Sequence, residues 1–274
     1  MKKTIMSAVM VAFAAVGRAQ MLPQTQENTN PAAASAVSAP LLAADASASG
    51  EAVTTAVAGG VSADARSEWL PSFSAVEVSA PLDIRFVRVP DTEAPKIVYD
   101  TKGSYTTKFR AEVKDGVLHV RERADSRRPD RTGVVVYYND LQRVAIEDAT
   151  AVFEGRLCGT MLDLRVGGEA RVTAELDLKD LEMEQTGHSS VGFTGSVRYL
   201  SLYVSTGVFD APGLECMSAE INAQSGGRAT LAVTDRLEGR ASTGGTIRYK
   251  GTPGILRVAQ KFMAGDIKPF EESR

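Results

Sequence analysis

The chain has 274 residues, enough for one or two domains, and its 43% hydrophobic content is that of an ordinary globular protein. Its formal charge of -3, from 31 Lys+Arg against 34 Asp+Glu, excludes the strongly basic character that nucleic acid or an anionic membrane surface rewards. No stretch is apolar for long enough to cross a bilayer, which takes about 20 residues.

Taken in chain order, Lys2 and Lys3 precede an apolar run over 5–16. Gly17-Arg18-Ala19 closes that run with small residues at the two positions a signal peptidase reads. This predicts a signal peptide over 1–19, cleaved between Ala19 and Gln20. The expected mature protein is exported, to the periplasm, the outer surface or the extracellular space, and has no transmembrane segment. Cleavage removes three cations and makes the chain more acidic by that amount. No cysteine stands near the cleavage site to take a lipid.

Residues 20–65 contain no Lys, Arg or aromatic residue and are dominated by Ala, Ser, Thr, Val, Gly and Pro. Such a stretch buries too little to offset its ordering entropy, so it reads as a flexible Ala/Ser-rich linker. Pro31, Pro40, Gly50, Gly59 and Gly60 interrupt the competing Ala-rich helix. The folded domain is then 66–274.

From Val76 the residues Val76, Val78, Ala80, Leu82, Ile84 and Phe86 alternate with polar ones, which puts them on one face of a strand broken at Pro81. A second short strand spans 97–99. Phe109, Ala111 and Val113 lead through Lys114-Asp115-Gly116 to Leu118 and Val120, a hairpin in which Asp-Gly accepts the positive φ of a two-residue turn. Residues 121–131 form a charged loop with Arg121, Arg123, Arg127, Arg128 and Arg131, a candidate basic contact patch for an anionic envelope glycan or protein partner. The next strand covers 134–138.

Residues 141–269 repeat one pattern about six times: alternation, a small polar residue with Gly, then alternation again. The turn glycines Gly167, Gly187, Gly207, Gly226 and Gly244 recur every 18 to 20 residues, a period typical of stacked repeats. A rung of about 19 residues is too long for one strand and must fold into two or three short strands. The expected fold is therefore all-β, a single-chain β-solenoid of about six 18–21-residue rungs with the N-terminal strands and hairpin capping one end. In-register stacking predicts one inward column of Leu164, Met183, Leu202 and Ile221 and another of Leu178, Val197 and Cys216. At the far end, Pro269 and the charged residues after it discourage further strand addition.

Cys158 and Cys216 fall at roughly matching repeat positions three rungs apart, about 14 Å at ~4.8 Å per strand. That is too far for a disulfide, and both are expected as buried free thiols in one wall of the core.

The opening FSAVEVSAPLDIRFV, the hairpin KDGVLHV, the line YYNDLQRVAIEDATAV, the turns QTGH, STGV, QSGG and STGG, and the closing GGTIRYKGTPGILRVAQKFMAGDIKP together resemble the head GIN domain of putative auto-transporter adhesins, over about 73–269. The resemblance implies a β-helix-like fold at or beyond the bacterial cell envelope and supplies no catalytic residue. The family's small-residue turn is Ser-Gly-Ala-Gly; here Gly207 is followed by Val208-Phe209 and Gly187 by His188.

The residues themselves carry little catalytic chemistry. His119 and His188 lie in different units, the first out of phase with inward Leu118 and Val120 and the second in a turn, without the Cys, Asp or Glu spacing of a metal site. A glycan lyase or hydrolase would need paired carboxylates, for which Asp148 with Glu169 and Glu182 with Asp163 are candidates one rung apart. The Gly-rich turns lack the Gly-Lys-Ser/Thr of a phosphate loop and the repeated Asp of a calcium repeat. The sequence thus favours a non-catalytic envelope protein without cofactor or metal, binding protein or glycan through a repetitive surface. A glycan-active enzyme and a periplasmic structural domain are the alternatives.

Overall fold

The computed structural model describes residues 65–101, 109–123 and 130–270. These all lie in one compact unit, Ala56–Arg274. The expected signal peptide, all but the last residue of the expected linker, and Arg127 and Arg128 lie outside the described residues.

The described residues form one 16-stranded sheet without a helix, wound into stacked coils. The first eight strands, the last of them already in the repeats, are β1 Arg66–Trp69, β2 Ala75–Ser79, β3 Asp83–Arg88, β4 Lys96–Asp100, β5 Phe109–Lys114, β6 Val117–Glu122, β7 Gly133–Tyr138 and β8 Arg143–Glu147. The repeats supply β9 Thr150–Gly167, β10 Arg171–Gln185, β11 Ser190–Ser205, β12 Val208–Gln224, β13 Arg228–Ser242, β14 Thr246–Lys250, β15 Ile255–Phe262 and β16 Asp266–Pro269. Pairing through the repeats is parallel, and the protein is a β-solenoid of about 6 turns.

Each long strand bends at corners where the inward–outward alternation skips. In β10 the buried residues run Val172, Ala174, Leu176, Leu178 and then Leu181, Met183, Gln185. Between these runs Lys179 has no partner in either neighbouring ladder. The skip turns the chain onto a new side of the coil while leaving every side inward-apolar.

Stacking aligns like with like. Leu118, Val76, Val144, Leu164, Met183, Leu202 and Ile221 form one inward column, strand to strand, each no more than 2% exposed. Leu178, Val197 and Cys216 form a second. On another side of the coil, Phe86 stacks on Phe153 with ring centroids 4.6 Å apart, and Phe193 meets Phe209 edge-on at 5.9 Å. Full burial of such side chains contributes roughly 1.5–3 kcal/mol each, so these columns hold the stack together.

Cys158 does not join Cys216. It pairs in register with Asp177 and stands exposed, whereas Gly159 occupies the register position that leads to Leu178, Val197 and Cys216. The expected common wall of two buried thiols is thus wrong by one residue for Cys158, and on a strand one residue reverses the face. Both thiols are free.

Two further features differ from the sequence reading. The β2–β3 segment is a coil inside the stack, not part of the cap: β2 lies between β6 and β8, and β3 between β7 and β9. The cap proper is antiparallel, β5 on β6 along one side and β1 on β4 on β7 along another. The β5–β6 turn places Asp115 at φ 53° and Gly116 at φ 75°, with Lys114 opposite Val117.

The repeat turns are not uniform either. Gly187, Gly226 and Gly244 have positive φ, but at the first turn Gly168 has it in place of Gly167, and at the third Thr206 has it in place of Gly207. Gly207 meets a different demand. A Cβ there would lie 2.7 Å from Gln185 Nε2. Gln185 is fully buried in an otherwise aliphatic column, between Val166 and Val204, and its Nε2 donates to the Ser189 and Val208 carbonyls, each at 3.0 Å. The amide thereby ties its own turn to the next coil.

Candidate binding groove

The residues that point away from the core also form columns, because in-register stacking aligns outward positions as strictly as inward ones. On the side built by β6, β2, β8, β9 and β10, one outward column reads His119, Glu77, Ala145, Arg165, Glu184. Its neighbour reads Arg121, Ser79, Glu147, Gly167. Small residues fall together at Ser79, Ala145 and Gly167 and leave an open depression of about 420 Å³, floored by Val78, Ile146 and Val166. From Arg121 to Glu184 it crosses four strand spacings, about 19 Å.

The rim is charged and partly engaged. His119 Nδ1 lies 3.0 Å from Glu77 Oε2 but off hydrogen-bond alignment, so the contact is an ion pair only when the imidazole is protonated. Ser79 Oγ donates to Glu147 Oε2 at 3.2 Å. Arg165 Nε is 3.6 Å from Asp163 Oδ1, whose second oxygen lies 3.4 Å from Arg143 Nε. Among the described residues Arg121 and Glu184 make no ion pair or hydrogen bond through their side chains.

A second depression, about 560 Å³, runs along the side formed by β9 to β13, floored by Leu178, Val197 and Cys216. Asp177 and Glu215 stand along one edge and Lys179 and Arg198 along the other.

Of the expected basic patch, Arg121, Arg123 and Arg131 are described, and Thr132 Oγ1 donates to Glu122 Oε1 at 2.8 Å across the loop between them. Arg121 lies near the end of β6 and Arg123 just past it, both exposed, whereas Arg131 precedes β7, lies 3.7 Å from Asp83 and donates to Thr150 Oγ1 at 3.3 Å. Among the described residues, then, Arg131 is not brought to the groove. The candidate carboxylate pairs are neighbours, as the rung spacing predicts, but in other roles. Glu182 pairs in register with Asp163, which is flanked by the two arginines. Asp148 Oδ1 accepts a hydrogen bond from the Glu169 backbone N–H at 2.9 Å and so braces a turn. His188 is exposed on its turn. Among the described residues no group of His, Cys, Asp and Glu is placed to hold a metal ion, and no helix is long and apolar enough to cross a membrane.

Sequence reasoning missed the groove because its parts come from five strands that are distant in the chain. The only available signal was the run of small residues at outward positions, legible once the register is known.

The fold and its surface define a parallel β-solenoid whose polar outer ladders surround shallow depressions, an arrangement suited to holding extended ligands. The chain belongs to the family described as putative auto-transporter adhesin, head GIN domain, whose model matches residues 72–253. Its structure is similar to that of a putative adhesin from Bacteroides fragilis, with TM-score 0.69, 20% identity and coverage of 75% of this chain and 96% of that one. It is also similar to a putative adhesin from Parabacteroides merdae, with TM-score 0.54, 18% identity and coverage of 76% and 95%. A protein described as a putative lipid binding protein from Parabacteroides distasonis matches with TM-score 0.56, 16% identity and coverage of 76% and 96%. These likenesses show a shared fold. The names are those of binding proteins and not of enzymes. No curated protein matches the sequence.

Proposed function

We propose that this protein is a non-catalytic binding protein of the bacterial cell envelope, exported by a signal peptide over 1–19. Its solenoid, 66–274, stands on the linker 20–65 and presents its outer ladders to glycan or protein. The observation that carries this reading is the surface itself: charged and hydroxyl side chains repeat at strand spacing around open depressions, which suits many weak contacts with an extended ligand. The family name supports adhesion, and the N-terminal sequence supports export. A glycan-active enzyme is the weaker reading, because Asp163 is held between Arg143 and Arg165 and Asp148 braces a turn.

Fractionation of cells expressing the full chain tests the proposal, combined with protease shaving of intact cells and attachment of purified protein to cell envelopes. The expected result is a mature N-terminus at Gln20, loss of the solenoid on shaving, and saturable attachment. Retention in the periplasm without attachment would replace adhesion by a structural role there, and release of reducing sugar from envelope glycan would favour the enzyme.

A further inference from the structure

The groove ends in an electrostatic anomaly. Arg110 and Arg121 stand directly opposite each other in the antiparallel β5–β6 pair, both exposed on the outward face. Like charges in that arrangement destabilise a sheet, and among the described residues neither guanidinium has a counter-ion or a hydrogen-bond acceptor. A carboxylate or similar anion between them would remove the repulsion and accept charge-assisted hydrogen bonds from both forks.

The rest of the groove has the opposite preference. Glu77, Glu147 and Glu184 line it against the single further cation Arg165. Three carboxylates accept hydroxyl hydrogen bonds and repel further negative charge, so a uniformly charged polyanion fits only one end. The backbone offers no recognition here, because β2, β8 and β9 are hydrogen-bonded on both sides. A peptide adding itself as a strand needs a free edge; a glycan is read by side chains. The depression over Ser79, Ala145 and Gly167 leaves room for rings over a floor of small residues, and its length exceeds one sugar.

We propose that the groove from Arg110 and Arg121 to Glu184 binds a largely neutral oligosaccharide carrying one acidic group at its end, with the acid between the two arginines and the sugar hydroxyls on Glu147 and Glu184. This rests on the binding reading above and names the ligand class for it.

Calorimetric titration of the full chain with three probes tests it: a tetrasaccharide ending in glucuronic acid, its carboxyl-reduced neutral twin, and a fully sulfated tetrasaccharide. The acid-ended probe is expected to bind about tenfold more tightly than its neutral twin, the scale of one charge-assisted contact. The sulfated probe should be no tighter than the acid-ended one. Arg110→Gln with Arg121→Gln, both on the surface, should abolish the preference by bringing the acid-ended probe down to the affinity of its neutral twin, and Ala145→Trp should weaken both probes by filling the depression. Equal affinity for acid and neutral probes, a preference that survives the double variant, a tighter sulfated probe, or no binding at all would overturn the assignment. Envelope attachment that persists in Ala145→Trp would defeat the groove while leaving the adhesion reading standing. Groove binding without envelope attachment would do the reverse.

Discussion

Cys158 and Cys216 show how one register position separates two chemistries. Burial pushes the Cys216 thiol up to about 12, while Cys158 stands exposed. At pH 8 a thiol reagent should therefore consume one equivalent in the native protein and a second only in denaturant; fast loss of both thiols from folded protein would contradict the placement. The stability contribution follows the same shift. An unfolded thiol ionises at ~8.5 and the native one only at about 12, so the contribution is full below the first pH and lost as pH rises towards the second, by about 1.4 kcal/mol per unit. Cys216→Val should lose that alkaline slope relative to wild type.

Two glycines separate backbone conformation from space at the same scale. Gly195 has φ 100°, and a Cβ there would lie 2.1 Å from the Leu176 carbonyl oxygen, whereas Gly226 has φ 80° with nothing within 4 Å. Gly226→Ala should cost about 1 kcal/mol in a denaturant titration, the conformational penalty alone. Gly195→Ala should cost about 2–4 kcal/mol because the neighbouring strand must also move. Equal costs would mean that the close approach contributes nothing.

Between elements, stability resides in the columns. Leu202 sits between Met183 and Ile221 and is 2% exposed, while Ser201 beside it points outward. Leu202→Ala should lower unfolding free energy by about 2–5 kcal/mol, through lost burial and the cavity left between two coils. Ser201→Ala should stay within about 0.5 kcal/mol. Gln185 is the exception within a column, and its role is visible in what it joins: Gln185→Leu removes a donor from the Val208 carbonyl and from the Ser189 carbonyl, which keeps its bond from the Val208 N–H, but also removes the buried, unpartnered Oε1, so a denaturant titration should show a net loss of about 0.5–1.5 kcal/mol.

At the scale of the described solenoid, the two ends are unequal. The N-terminal end is closed by antiparallel strands, and its column residues Leu118 and Val120 are fully buried. At the other end Leu256 and Val258 continue inward columns yet are 46% and 43% exposed, because among the described residues β15 pairs only with β13. A register shift in β15 interrupts its ladder, and Pro269 closes β16. These features discourage strand addition. The apolar surface that remains is the predicted site of self-association at high concentration. Val258→Lys should raise the concentration at which light scattering reports a monomer and change stability by less than about 1 kcal/mol, whereas Leu202→Lys, in the same column, should fail to fold. Unchanged association in Val258→Lys would place the contact elsewhere.

Much of this architecture was legible in the chain. Alternation and turn chemistry are local: sterics between neighbouring residues decide which side chains share a face, so the columns through Leu164 and Leu178 and the hairpin at Asp115-Gly116 follow from spacing. Corners broke that logic. Between Leu157 and Leu162 the alternation skips, and neither the face of Cys158 nor the division of positive φ between Thr206 and Gly207 can be counted across such a break. The sequence by itself determined a parallel stack of short rungs and most of its inward residues. Only the tertiary structure decided that β2 and β3 lie between later segments, that Arg110 opposes Arg121, and that Ser79, Ala145 and Gly167 share one depression. Those arrangements rest on pairing between strands far apart in the chain, where burial and hydrogen-bond satisfaction choose the neighbour and local propensity does not.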